Sequence, residues 1–293
     1  MTGGAAIVAE PSPRVLDVLR LATAFLAERG VDNARLDAEV LLADCLGLDR
    51  VGVYLHFDRP LGAAERARYR ELIRRRGGRV PLQHIRGRQE FFSREFRVDP
   101  RVLIPRADTE TVVEELLSVA PRQARPRILD VGSGSGAIAV TVALELAAAE
   151  VFAGDVSPDA VVVGQENARR HGVEERIDFR CGDLFAPFAG ERFDLVVCNP
   201  PYVPSGEIGG LAPEVRDHEP RQALDGGADG LDFYRRLSAS VAGALSEGGS
   251  CVLEIGAGQR EPVERLFAAA GFVESVVRRD LAGIERVLTV TRG

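Results

Sequence analysis

Lysine is missing from this chain: all 37 of its formally cationic residues are arginine. With abundant alanine and glycine, that bias points to GC-rich coding DNA rather than to a task. Cysteine is sparse. Cys45, Cys181, Cys198 and Cys251 are widely spaced and form no C-x-x-C pair, so neither a disulfide framework nor a thiolate metal site is expected. Cys198 and Cys251 sit in apolar runs, where small buried thiols are common. His84, His171 and His218 are scattered without ligand spacing, so no metal is expected and hydrogen-bonding or surface roles are the default. No apolar run approaches the ~20 residues a membrane helix needs, and the N-terminus lacks a basic start followed by a long apolar core. The expectation is a cytoplasmic protein without a membrane partner. Positive charge is short as well: net −7 with a pI near 5.3. That balance does not imply a broad basic surface for duplex nucleic acid, and no DNA partner is expected.

Against these absences stands one uncommon feature. The apolar run Phe193-Asp194-Leu195-Val196-Val197-Cys198 ends at Asn199-Pro200-Pro201-Tyr202. Each proline lacks an N–H, fixes its own φ and biases the residue before it toward extended geometry. A stiff corner results, holding one carboxamide, nearby main-chain carbonyls and an aromatic face in fixed relation. It suits a planar group bearing an NH2, whose two hydrogens meet carbonyl oxygens while the ring covers its face.

Upstream, the short apolar strand Arg127–Val131 runs into Gly132-Ser133-Gly134-Ser135-Gly136 and then a helical stretch from Ala137 to about Leu146. Alternating glycines let the backbone turn tightly and approach a ligand, and amides opening the helix can donate to it. About twenty residues on, Val151–Asp155 is a second strand ending in a carboxylate, placed to accept ribose hydroxyls. Gly132-x-Gly134-x-x-Ala137 equally fits the dinucleotide turn of hydride-transfer enzymes. The corner at Asn199 separates the two readings, since methylation of a planar nitrogen uses it and hydride transfer does not.

Those three marks together resemble S-adenosylmethionine-dependent methyltransferases acting on amide or exocyclic amine nitrogens. Further segments are similar to one family among them, the PrmC/HemK release-factor glutamine methyltransferases. They are Pro81–Gly87, Glu90-Phe91-Phe92, Val102–Arg106, Glu219–Gly227 and Asp229-Gly230-Leu231. The likeness spans about residues 15 to 291. The chain departs from the family at Pro105-Arg106-Ala107-Asp108-Thr109-Glu110, where a proline commonly stands at the position of Ala107. It departs again at Leu184, where some members carry an aromatic against the adenine; leucine covers a base face by apolar contact alone.

The resemblance implies S-adenosyl-L-methionine held by Gly132, Ser133, Gly134, Ser135, Gly136, Asp155, Asp183, Leu184 and Asn199. It implies a substrate site of Asn199, Pro200, Pro201 and Tyr202, with Asn199, Pro200 and Tyr202 carrying catalysis. Tyr202 is expected to work through its ring rather than its hydroxyl. The implied reaction is N5-methylation of the glutamine in the Gly-Gly-Gln loop of class 1 peptide-chain release factors, by a monomer. An adenine-N6 methyltransferase of DNA or RNA is the alternative; it needs base flipping and phosphate contacts, and the acidic balance and small helical domain argue against it.

Periodicity divides the chain into a helical substrate-docking domain (1–82), a β-hairpin linker (83–104) and a catalytic domain (105–293). Val15–Glu28 and Ala34–Leu46 carry helical spacing, the second through Leu36, Val40 and Leu41, with Gly30 and Gly47 as stops. Val51–Tyr54 reads as a short turn of helix or a loop, and Ala63–Arg76 as a helix closed by Gly77-Gly78. Phe92, Phe96, Val98 and Val102 bring a period of two. Beyond Asp108, strands at 127–131, 151–155, 176–180, 193–198, 250–255, 271–278 and 285–291 alternate with helices. The fold class is therefore α/β, and seven strands with the last antiparallel match the Rossmann-like S-adenosylmethionine methyltransferase domain that the resemblance implies. Ligands in such sheets bind beyond the strands' carboxyl ends, where Gly132, Asp155, Asp183 and Asn199 all fall. The basic run Arg66, Arg68, Arg70, Arg74, Arg75, Arg76 and Arg79 reads first as a solvated helix with a cationic C-terminus, and second as a docking face for an acidic protein or RNA.

Overall fold

The computed structural model describes residues 12–121 and 125–293. The N-terminal start inspected above for a leader falls outside the described residues. The chain divides between Arg86 and Gly87 into two compact units.

The first unit is helical: α1 (Val15–Glu28), α2 (Ala34–Leu46), α3 (Arg50–Leu55), α4 (Ala63–Gly77) and α5 (Leu82–Arg86). Val15, Leu19, Ala22 and Leu26 recur every three or four residues and give α1 one buried stripe. On α2 the buried face differs from the expected one. Ala34, Ala38, Leu41, Leu42 and Cys45 face the core, whereas Leu36 is exposed. The register is turned by two buried acids on α2: Asp37 pairs with Arg76 of α4 at 2.6 Å, and Glu39 takes Arg50 at 2.7 Å. Gly47 ends α2 in the left-handed conformation at φ 67°. The Asp49 side chain caps α3 by accepting from the Gly52 amide at 2.6 Å.

The arginine run on α4 is partly structural. Arg76 is buried against Asp37, Arg74 pairs with Glu71, and Arg79 donates to the Gly30 carbonyl at 2.6 Å. The face is therefore neither wholly solvated nor wholly free to dock a partner.

The second unit opens with the hairpin β1 (Arg88–Phe91) and β2 (Arg94–Arg97), turned at Phe92 and Ser93. It is shorter than the 83–104 stretch expected from alternation. Residues 82–86 coil into α5, and Val98, Val102 and Ile104 are buried with Ala160 and Val163 outside any strand. Then follow α6 (Glu110–Val119), β3 (Arg127–Val131), α7 (Ala137–Glu145), β4 (Glu150–Asp155), α8 (Pro158–Arg170), β5 (Ile177–Cys181) and β6 (Phe193–Cys198). The chain closes with α9 (Pro213–Arg216), α10 (Asp232–Ala244), β7 (Leu245–Glu254), α11 (Arg260–Ala269), β8 (Phe272–Arg279) and β9 (Glu285–Arg292).

Seven strands form one sheet in the order β5-β4-β3-β6-β7-β9-β8. The pairs from β5 to β7 are parallel, and β9 runs antiparallel to both neighbours. Alternation assigns side chains to two cores. Ile128, Val151, Leu195 and Val197 pack with α6 and α7 on one face; Leu129, Val131, Val196 and Leu253 pack with α10 and α11 on the other. The strand order reverses at β3, between β4 and β6. The carboxyl ends of β4, β3 and β6 thus bring Asp155, Gly132 and Asn199 to one edge of the sheet.

Candidate active site

The turn after β3 places Gly132, Gly134 and Gly136 at φ 76°, 52° and 75°, a region costly for residues with a Cβ. At Gly136 space is also short, since a Cβ would lie 3.0 Å from the Gly164 Cα on α8. The Gly132 and Ser133 amides donate to the Gly154 carbonyl at 2.8 and 3.0 Å, locking the turn to β4. At the end of β4, Asp155 accepts from the Gly134 amide at 2.9 Å and the Ser157 amide at 2.8 Å. Burial raises the Asp155 pKa, and those two amides pull the other way.

These groups line a cleft of about 380 Å³. Of the residues expected to hold a cofactor, Gly132, Gly134, Asp155, Asp183, Leu184 and Asn199 line it, and Pro201 joins them. Ser133, Ser135 and Gly136 do not. The two serines are buried behind the turn, and the Ser135 carbonyl accepts from Asn167 Nδ2 at 2.9 Å. Leu184 stands on the cleft wall in the left-handed conformation, φ 47°, and Asp183 is paired with Arg236 of α10.

A second cavity of about 240 Å³ lies on the other side of Asn199, lined by Pro200, Tyr202, Arg106 and Glu254. Asn199, Leu103 and Ala223 line both cavities, so the carboxamide stands at their junction. Its Nδ2 donates to Thr109 Oγ1 at 3.0 Å, and its Oδ1 accepts no hydrogen bond among the described residues. The Pro200 carbonyl likewise accepts no main-chain hydrogen bond there.

The corner is braced from the segment after it. Val203 N–H donates to the Leu224 carbonyl, Gly226 N–H to the Val203 carbonyl, and Gln259 Nε2 to the Tyr202 carbonyl at 3.0 Å. Gly230 must be glycine here: its φ is 75°, and a Cβ would strike the Tyr202 carbonyl oxygen.

The hydroxyl of Tyr202 is engaged within the protein, which leaves its ring as the part free to meet a ligand. It donates to Glu254 Oε1 at 3.1 Å. Burial raises the pKa of Tyr202, and the neighbouring Glu254 raises it further. Burial also raises that of Glu254, opposed by hydrogen bonds from Thr109 and Tyr202 and by the Arg286 charge. Two polar supports of this cavity escaped the sequence reading. Glu254 is one; its signal was an acid ending the apolar run Cys251-Val252-Leu253, as Asp155 does in β4. The other is the Arg106–Glu219 pair at 2.5 Å, whose carboxylate also takes the Ile104 amide at 3.2 Å.

A sheet of this order, with a cleft over its glycine turn and a second cavity meeting it at Asn199, fits a methyltransferase. Comparison with known proteins agrees and goes further. Residues 17–87 match the PrmC N-terminal domain and residues 106–212 the methyltransferase small domain. The chain is 49% identical to a release factor glutamine methyltransferase of Geobacter sulfurreducens, over 94% of each chain. It is 44% identical to one of Moorella thermoacetica, over 91% of this chain and 94% of that one. A methyltransferase structure from Pyrococcus furiosus shares the fold at 15% identity, with a TM-score of 0.53 over 75% of this chain and 98% of that chain. The chain belongs to the release factor glutamine methyltransferase family.

Proposed function

We propose that this protein transfers a methyl group from S-adenosyl-L-methionine to the side-chain N5 of the glutamine in the Gly-Gly-Gln loop of class 1 peptide-chain release factors, modulating translation termination. The observation that carries the reading is the meeting of two cavities at the Asn199 carboxamide. One is suited to the methyl donor and the other to the acceptor.

The residues of the larger cleft fit the donor. Asp155 offers a carboxylate at a strand end for ribose hydroxyls, Gly132 and Gly134 offer close backbone, and Leu184 an apolar cover for the base. When bound, S-adenosyl-L-methionine supplies a methyl group on a sulfonium, a good leaving group. The difficulty therefore rests with the acceptor, whose nitrogen lone pair is delocalised into its carbonyl. In this reading Asn199 Oδ1 and the Pro200 carbonyl accept both amide hydrogens and favour positive charge growing on nitrogen. The Tyr202 ring packs against the amide plane and restricts its approach.

In this reading the first unit grips another face of the release factor. Val51, Leu55 and Phe57, in and just after α3, are 64%, 73% and 51% exposed, apolar surface available to a protein partner. The protein acts as a cytoplasmic monomer; among the described residues no helix is long and apolar enough to cross a membrane.

Peptide mass mapping tests the assignment. Incubation with S-adenosyl-L-methionine is expected to add one methyl to the Gly-Gly-Gln peptide of a release factor and none when that Gln is Ala. Label in duplex DNA, with neither protein labelled, would overturn it.

The donor site has its own test. Asp155→Ala is expected to weaken S-adenosyl-L-methionine binding by about 1.5–3 kcal/mol, the range for hydrogen bonds to a charged acceptor. Asp155→Asn keeps an acceptor for Gly134 and is expected to lose less. Titration calorimetry on folded variants reads both, and unchanged affinity in Asp155→Ala would remove Asp155 from the site.

A further inference from the structure

A single buried carboxylate ties together three separate parts of the second unit. Glu254, at the end of β7, is 1% exposed. Its Oε2 accepts from Thr109 Oγ1 at 2.6 Å, in the turn before α6, and its Oε1 accepts from the Tyr202 hydroxyl at 3.1 Å. Thr109 in turn accepts from Asn199 Nδ2 at 3.0 Å. The direction of this chain of hydrogen bonds follows from donor inventory alone. The two Glu254 oxygens accept from two separate hydroxyls, those of Thr109 and Tyr202, so the Thr109 proton points to Glu254. The Thr109 oxygen is then left as an acceptor, and only the NH2 end of Asn199 can satisfy it. Oδ1 must therefore face the junction of the two cavities.

We propose that Glu254, through Thr109, is a positioning residue that fixes which end of the Asn199 carboxamide meets the acceptor, and so makes the pocket select an NH2-bearing side chain over a carboxylate. With Oδ1 and the Pro200 carbonyl both presented as acceptors, a glutamine amide finds two partners. At those two atoms a glutamate side chain meets two oxygens and no donor, and the Arg106 guanidinium of the same cavity is already paired with Glu219, an arrangement that rejects it. Glu254 also holds the Tyr202 hydroxyl, so one buried group orients both side chains of the corner. This rests on the glutamine reading of the smaller cavity.

Thr109→Val removes both hydrogen-bonding roles at nearly constant volume, Thr109→Ser keeps them, and Glu254→Gln introduces a donor where only an acceptor stood. Single-turnover methyl transfer to a release factor bearing Gly-Gly-Gln is expected to slow by roughly ten- to hundredfold in Thr109→Val and Glu254→Gln. That is below the loss expected for removing a direct contact. Thr109→Ser is expected to stay within about threefold of wild type, and donor affinity by calorimetry to hold in all three, contrasts that a merely structural role would not produce. A release factor carrying Gly-Gly-Glu, used as a competitor, is expected to bind about tenfold better relative to Gly-Gly-Gln once Thr109→Val frees the carboxamide to rotate. Wild-type rate and discrimination in Thr109→Val, or a Thr109→Ser enzyme no better than Thr109→Val, would overturn the proposal.

A readout without acceptor separates this idea from the glutamine reading. The Asn199 side-chain amide resonances are expected to keep their positions in Thr109→Ser and move in Thr109→Val. If wild-type enzyme fails to methylate Gly-Gly-Gln, the reading of the acceptor is wrong; if those resonances do not respond to Thr109→Val, the positioning chain is wrong.

Discussion

Replacing Asn199 with Ala is expected to cut single-turnover methyl transfer by roughly 10²–10³-fold, the loss typical of deleting one polar contact aimed at developing charge. The substitution removes the Oδ1 acceptor at the junction of the two cavities and strands the Thr109 hydroxyl oxygen, whose donor was Asn199 Nδ2. Donor affinity is expected to stay within a few-fold, because the ribose, base and turn contacts assigned to Asp155, Leu184, Gly132 and Gly134 are untouched. The effect therefore belongs in kcat rather than in the calorimetric Kd. Stopped-time labelling of a Gly-Gly-Gln release factor at saturating donor checks it. A loss confined to donor binding, with the transfer rate intact, would move Asn199 out of the transition state.

That assignment was legible in the sequence because everything announcing it is local. The apolar run, the asparagine and the two prolines are consecutive, and the glycine turn precedes its carboxylate by about twenty residues. Elements with a clean period were legible for the same reason. Val15–Glu28 and Ala34–Leu46 begin and end where their apolar spacing and glycine stops put them, and β3 and β6 match their runs residue for residue. What escaped depends on tertiary partners. The buried face of α2 is set by Asp37 and Glu39 finding arginines on α4 and α3, a choice that periodicity cannot see. The start of β7 at Leu245 is hidden by the turn-like Ser246-Glu247-Gly248-Gly249. Residues 82–86 close into helix although alternation suggested extended chain. Thr109 and Glu254 stand 145 positions apart in sequence and 2.6 Å apart in space, so no spacing rule could pair them. Even so, Glu254 shares with Asp155 the pattern of an acid closing an apolar strand. Asp130, Asp155 and Glu254 are each buried or half-buried toward the carboxyl ends of their strands.

Asp130 supplies the other large effect, on stability. It lies within β3 on the sheet face carrying Ile128, 1% exposed, and its Oδ2 accepts from the Ala139 amide of α7 at 3.1 Å. Its Oδ1 is buried without a partner among the described residues. Burial pushes its pKa up to about 7, helped by the Asp155 charge and opposed by the Ala139 amide. A carboxyl held above its unfolded value of ~3.9 contributes stability that is complete below that pH and is lost as the pH rises through the folded value. A rise of that size corresponds to roughly 4 kcal/mol between pH 4 and pH 8. The carboxamide of Asp130→Asn mimics the protonated acid: it can still accept from Ala139, and it exchanges one unmatched buried polar atom for another. Thermal unfolding of cofactor-free protein is therefore expected to give similar midpoints for wild type and Asp130→Asn near pH 4. Near pH 8 the variant is expected to lead by roughly 10 °C, taking 2–4 °C per kcal/mol for a unit of this size. The gap is expected to open between about pH 4 and 7, the interval between the unfolded and folded values. A difference that stays constant with pH, or favours wild type as the pH rises, would mean that Asp130 is ionised in the fold at no cost, stabilised by a partner other than Ala139.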